Sequence, residues 1–180
     1  VNPDAKVYVK VTNSWYDPKG EEEAAKTLLN MNCDVIAQHC DTVYPQTLAQ
    51  EKGVYSIGYN SDMSKEAPEA CLCSVIWNWS AYYTSAVQSV IDGTWDGSNY
   101  YGGMNENLVS ITPVADFAAD TTQEKVNVAK QQILSGKNGV FDGVIETNTG
   151  ATVGTAGKTL EDSVITGGIN WYFKTVSVIE

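Results

Sequence analysis

Short β-branched runs alternate with amphipathic helical stretches through the first half of the chain, and this alternation constrains the fold more than any other feature. Val7-Tyr8-Val9-Lys10-Val11 reads as a strand, broken by Asp17-Pro18. Gly20 to Met31 reads as a helix. Glu21, Glu22 and Glu23 fill its first turn, where the helix dipole favours negative charge, and Ala24, Ala25, Leu28 and Leu29 form an apolar stripe. Asp34 to Ala37 is a second strand, and Pro45 to Lys52 a helix stopped by Gly53. Val54 to Ile57 and Leu72 to Ile76 are further strands. The spacing then predicts a helix from Ser80 to Ile91 with Tyr83, Ala86, Val87, Val90 and Ile91 turned inward. This order implies an α/β class, a parallel sheet wound by right-handed crossovers with helices on both faces.

The second half is less regular. Tyr100 to Asn107 is Gly/Asn-rich, and Leu108 to Val114 reads as a strand. Thr121-Thr122-Gln123-Glu124 fits a capping box that opens a helix to Leu134. Phe141 to Glu146 and Thr152 to Thr155 suggest a hairpin, and Ile169 to Ile179 fits either a helix or a strand. Gly154 to Thr159 resembles a phosphate-binding loop, but Thr152 stands where that pattern needs its first glycine, so an ordinary Gly-rich loop is expected.

Charge narrows the partners. The net charge is −11, and all 11 positive residues are lysines. A chain without arginine and with twice as many acids as bases is poorly suited to phosphate backbones, so no nucleic acid partner is expected. A neutral or weakly polar small molecule fits better. The four cysteines, Cys33, Cys40, Cys71 and Cys73, include no CxxC pair and read as small buried thiols, with neither a metal nor a cofactor implied.

In an open parallel sheet, ligands bind beyond the carboxyl ends of the strands. Four such ends lead into Thr12 to Asp17, Gln38 to Asp41, Gly58 to Asp62, and Trp77 to Trp79, and all four are expected on one edge. Aromatic faces stack on flat rings, while amides and carboxylates supply donors and acceptors. Trp15, Tyr16, His39, Asp41, Asn60, Asp62, Trp77 and Trp79 are therefore the candidate ligand-binding residues. His39 is the sole histidine. Asp41 lies two residues on, but no nucleophile motif accompanies the pair, so no catalytic residue and no enzyme is expected.

Ser14-Trp15-Tyr16-Asp17-Pro18, Asp34 to Asp41, Gly53 to Tyr59, and Trp77-Asn78-Trp79 followed by Tyr82-Tyr83 occur in an ordered set. Together they resemble the basic membrane protein family of ABC-transporter substrate-binding lipoproteins, which includes the purine nucleoside receptors. The resemblance implies one lobe of a type I periplasmic-binding-protein fold plus a C-terminal returning segment. Residues 1–112 would be the C-terminal α/β lobe. Residues 113–180 would supply a helix, hairpin and terminal segment that contact an N-terminal lobe missing from this chain. It further implies an extracytoplasmic, lipid-anchored importer component that works with an ABC permease and binds a purine nucleoside or nucleobase, here as a C-terminal fragment. The uncovered lobe face would favour self-association. By the same resemblance, Trp15 falls where relatives stack an aromatic on the base. Asn60 falls where they place an Asp on the ribose, and Trp77 near a position where they use a Lys. Both departures weaken sugar recognition and favour a flat heterocycle. A ligand-sensing or scaffold domain of the same fold is the alternative.

Overall fold

The structure, a computed structural model, describes residues 2, 4–137 and 139–180. In chain order its elements are β1 (Val7–Lys10), α1 (Pro18–Asn30), β2 (Val35–Ala37), α2 (Tyr44–Glu51), β3 (Tyr55–Asn60), β4 (Cys71–Trp77), α3 (Trp79–Ile91), β5 (Val109–Ile111), α4 (Thr122–Leu134), β6 (Asp142–Glu146), β7 (Thr152–Thr159), α5 (Asp162–Gly167) and β8 (Val176–Ile179). They form two compact units. One is Thr12–Asn127, and the other joins Val1–Val11 to Val128–Glu180.

The Thr12–Asn127 unit is built on a four-stranded sheet in the order β2-β3-β4-β5. The first three strands are parallel, with Ile36 beside Ser56, Gly58 beside Ser74 and Asn60 beside Ile76. β5 closes the edge antiparallel, with Trp77 beside Val109. α1 and α2 pack on each other, and α2 lies against β2 and β3. α1 starts two residues before the predicted Gly20 because Asp17 caps it, accepting from the Gly20 amide at 3.0 Å, and Pro18 takes the first helical position. β3 runs on through Gly58-Tyr59-Asn60, three residues past the strand end expected at Ile57. Gly58 fits the strand there because Ser74 and Met63 leave no room for a side chain.

The core of this unit combines small apolar residues with polar ones. Met63, Ala67, Ala70 and Cys71 cluster with Val43 against them. Glu21, Thr42, Gln46, Ser56 and Ser74 are buried as well.

Three expectations need correction. The first predicted strand forms, but as β1 it pairs in parallel with β8 in a separate two-stranded sheet of the other unit, Val7 beside Val176, and is no member of the main sheet. The second concerns α3, in which no residue is buried. Tyr83, Val87, Val90 and Ile91, expected inward, are 58%, 60%, 61% and 71% exposed. Helical periodicity marks which residues share a face and says nothing of what covers it. The third concerns Gly154 to Thr159, which lie in β7, hydrogen-bonded to β6 as the hairpin's second strand. Gly154 has φ +82° and lies so close to the Gly143 carbonyl that only glycine fits, so its role is strand packing.

The C-terminal segment resolves into α5 and the strand β8. The four cysteines are free thiols; Cys71 is buried, and Cys33, Cys40 and Cys73 are half-buried rather than buried. Burial, helped by Asp34, pushes the Cys33 thiol up from its ordinary value; burial, then Cys71, does the same at Cys73. No helix among the described residues is long and apolar enough to cross a membrane.

Candidate functional site

Because β2, β3 and β4 are parallel, their carboxyl ends open on one edge of the sheet. β2 runs into Gln38 to Thr42. β3 ends at Asn60, whose left-handed backbone (φ 70°) turns the chain away, a conformation asparagine tolerates. β4 ends at Trp77. Asn78 then bridges to α3, its backbone amide donating to the Leu108 carbonyl at 2.7 Å and its side-chain amide to the Asn107 carbonyl at 3.1 Å. Asn107 and Leu108 thus pin the start of α3 beside the strand end.

Aromatic rings connect these ends without a break. His39 and Tyr59 have ring centroids 5.2 Å apart, and Tyr59 meets Trp77 edge-on at 6.5 Å. Trp77 and Trp79 are 5.6 Å apart with planes 26° apart, and Trp79 and Tyr83 are 6.1 Å and 27° apart. Tyr82 and Tyr100 continue the run at 5.6 Å and 4.5 Å. Polar groups border it. The Asn60 side-chain amide donates to Asp41 Oδ1 at 3.4 Å, and the Asp41 backbone amide donates to the Trp15 carbonyl at 2.8 Å. That last bond fixes the loop before α1 against the loop after β2.

The structure therefore groups His39, Asp41, Asn60, Trp77 and Trp79 along one rim, with Trp15 joined through its backbone. Trp15 and Tyr16 are 69% and 68% exposed, and their rings belong to no ring pair among the described residues. Asp62 turns back on its own loop. Its carboxylate accepts from the Ser64 amide at 3.0 Å, and that bond, with the Ser64 hydroxyl and Lys65, holds the Asp62 carboxyl below the usual range. A lowered carboxyl stabilises this turn at neutral pH, an effect lost as pH falls through its folded value.

Tyr59 and Tyr83 are the rim residues that sequence reasoning left out of the site. Tyr59 could have been found, since it lies in the same strand-end segment as Asn60. Tyr83 could not, because helical spacing assigned it inward.

Such a rim offers ring faces, one carboxylate, one amide and one imidazole, without arginine or lysine. It can stack on a flat or weakly polar ring and hydrogen-bond its edge, and it offers no cation to a phosphate.

A family model described as ABC transporter substrate-binding protein PnrA-like matches residues 1–141. A purine-binding protein of Brucella abortus is 36% identical over 172 residues, 96% of this chain and 49% of that protein. A putative ABC transporter glucose-binding protein of Haloferax volcanii is 32% identical over 143 residues, 79% of this chain and 37% of that protein. The chain thus spans about half the length, or less, of these relatives. Among solved structures, a transcriptional activator of the comK gene from Bacillus halodurans superposes with a TM-score of 0.62 at 19% identity, covering 68% of this chain and 44% of that one, a likeness of fold. The α/β sheet is that of one lobe of a periplasmic solute-binding fold, and the chain belongs to the PnrA-like family of ABC transporter substrate-binding proteins.

Proposed function

We propose that the strand-end rim of the Thr12–Asn127 unit is one wall of a binding site for a neutral flat heterocycle, a purine base or its nucleoside. In this reading the chain is part of the extracytoplasmic, lipid-anchored receptor of an ABC importer, which hands its solute to a permease. The observation that supports it best is the unbroken ring run from His39 through Tyr59, Trp77 and Trp79 to Tyr83, bordered by the Asp41–Asn60 pair. The named specificity of the Brucella relative points the same way. A pyranose sugar is the second reading, since the same ring faces and the Asp41–Asn60 pair suit its faces and hydroxyls, and a relative carries a glucose-binding name.

The chain's five tryptophans and single histidine give resolvable reporters for an NMR titration with adenine, adenosine, adenosine monophosphate and glucose. A ligand cleft normally encloses most of its ligand, whereas one wall leaves a flat solute half open. Adenine is therefore expected to bind the 180-residue chain weakly, with Kd of about 0.1–1 mM, and to shift the Trp77, Trp79 and His39 resonances. Adenosine monophosphate should bind about fivefold more weakly than adenosine, because its phosphate meets Asp41 and a net charge of −11 with no cation on the rim. A response to glucose alone would transfer the site to sugars. No response to any of the four at millimolar concentration would end the proposal, and low-micromolar adenine binding would refute the need for a second wall.

A further inference from the structure

We propose that a chain of polar groups, from the buried Glu21 and Thr42 through the half-buried Gln38 and the buried Gln46 to the backbone of β3, positions the loop that carries His39 and Asp41. This inference rests on the reading of the rim as a ligand wall. Glu21 stands in the first turn of α1 and is 2% exposed. Its Oε1 accepts from the Asp17 amide at 3.1 Å, and its Oε2 accepts from both the Thr42 amide, at 3.2 Å, and the Thr42 hydroxyl. Among the described residues the ion pairs are Lys26–Glu22 and Lys174–Glu146, so Glu21 is held by neutral donors alone. A buried carboxylate is a poor device for stability, since an apolar group of similar volume often serves as well or better. Each of its bonds is directional, however, and together they fix the Thr42 end of the loop to the start of α1.

The other end is fixed as firmly. Gln38 Nε2 donates to the Thr42 carbonyl at 2.7 Å and to Gln46 Oε1 at 2.6 Å. Gln46, 0% exposed, donates from its own Nε2 to the Ile57 carbonyl of β3 at 3.1 Å. His39, Cys40 and Asp41 are the residues enclosed between these two clamped positions. Their neighbours on β3, Tyr59 against His39 and Asn60 against Asp41, follow Ile57 by two and three residues. The polar chain therefore sets the distance between the two strand-end segments that make the rim. Glu21, Thr42, Gln38 and Gln46 touch no ligand in this scheme and are positioning residues.

The test uses the full chain and the resonance of His39, the sole imidazole, whose chemical shift reports its contact with the Tyr59 ring whether or not any ligand binds. Thr42→Val removes the hydroxyl donor and keeps the amide. It is expected to move the His39 signal toward that of a free imidazole and to weaken adenine binding about tenfold, the worth of a hydrogen bond to a charged group. Thr42→Ser restores the hydroxyl and is expected to restore both. Glu21→Gln should reproduce the Thr42→Val result, with the far-ultraviolet circular dichroism unchanged. Glu22→Gln, at the exposed Lys26 pair, should change neither readout. A folded Thr42→Val chain whose His39 signal matches the parent would overturn the inference. So would a Thr42→Ser chain that fails to rescue the signal. If the parent shows no adenine binding, the ligand reading fails by itself, and the His39 signal still decides whether the loop is held this way.

Discussion

Replacing Trp77 by alanine is expected to raise the Kd for adenine about 5- to 150-fold, from about 0.1–1 mM to about 0.5 mM or more, because one base–ring stacking contact contributes about 1–3 kcal/mol. Trp77 is the last residue of β4 and the midpoint of the ring run. It meets Tyr59 edge-on on one side and lies nearly parallel to Trp79 on the other. Alanine there separates the His39–Tyr59 pair from Trp79 and Tyr83 and removes the surface between them. Trp77→Phe keeps a ring face at the same strand end, so it should lose no more than about threefold, toward the lower bound for a stacked ring. The comparison that matters is Trp15→Ala. The family resemblance implies that Trp15 stacks on the base, yet Trp15 is 69% exposed and forms no ring pair with the run among the described residues. If Trp15→Ala costs more than Trp77→Ala in the same NMR titration, the heterocycle lies over Trp15 and the role given to Trp77 is wrong. Unchanged circular dichroism for each variant separates loss of contact from loss of fold.

The parts of this arrangement that were legible in the sequence are those set by local periodicity. β2, β3 and β4 and the helices between them announce themselves by apolar runs and by Asp17-Pro18 and Gly53 at their ends, and parallel winding then puts the strand ends on one edge. That is why His39, Asp41, Asn60, Trp77 and Trp79 could be expected on one edge without coordinates. What stayed hidden depends on non-local pairing or on volume. β1 finds its partner β8 at the far end of the chain, and no local pattern in Val7 to Val11 encodes that choice. Gly58-Tyr59-Asn60 lies beyond the apolar run and is a strand because it pairs with Ser74 to Ile76 of β4, where no side chain fits at Gly58. Buried Glu21, Thr42 and Gln46 have residue types usually found in solvent, so nothing in their identities marks them as interior groups. Tyr83, Val87, Val90 and Ile91 show the opposite failure, an apolar stripe that is real and yet uncovered.

Gly58→Ala is expected to destabilise the protein by about 3 kcal/mol, combining the cost of overpacking a closed site with that of an orphaned buried amide. Gly58 is buried in β3 directly beside Ser74 of β4. A methyl group added there would clash with Ser74 Oγ and stand only 3.0 Å from both Met63 Cβ and Ser74 Cβ. Ser74 cannot rotate away freely. It is fully buried, and its hydroxyl accepts from the Met63 amide at 3.1 Å in the small core cluster of Met63, Ala67, Ala70 and Cys71. The new methyl must either strain the β3–β4 pairing or push the hydroxyl off that amide. In thermal unfolding followed by circular dichroism, the midpoint should fall by roughly 6–12 °C for a chain of this size. Ser74→Ala tests the cause. Alone it orphans the Met63 amide and costs about 1–2 kcal/mol, but it also clears the atom that Gly58→Ala strikes hardest. The two substitutions together should therefore cost less than the sum of their separate effects, by about 1 kcal/mol or more. Strict additivity would mean that the methyl is accommodated without moving Ser74. The shape of the rim would then be indifferent to this contact, although Tyr59 and Asn60 are the residues that follow Gly58 on the same strand.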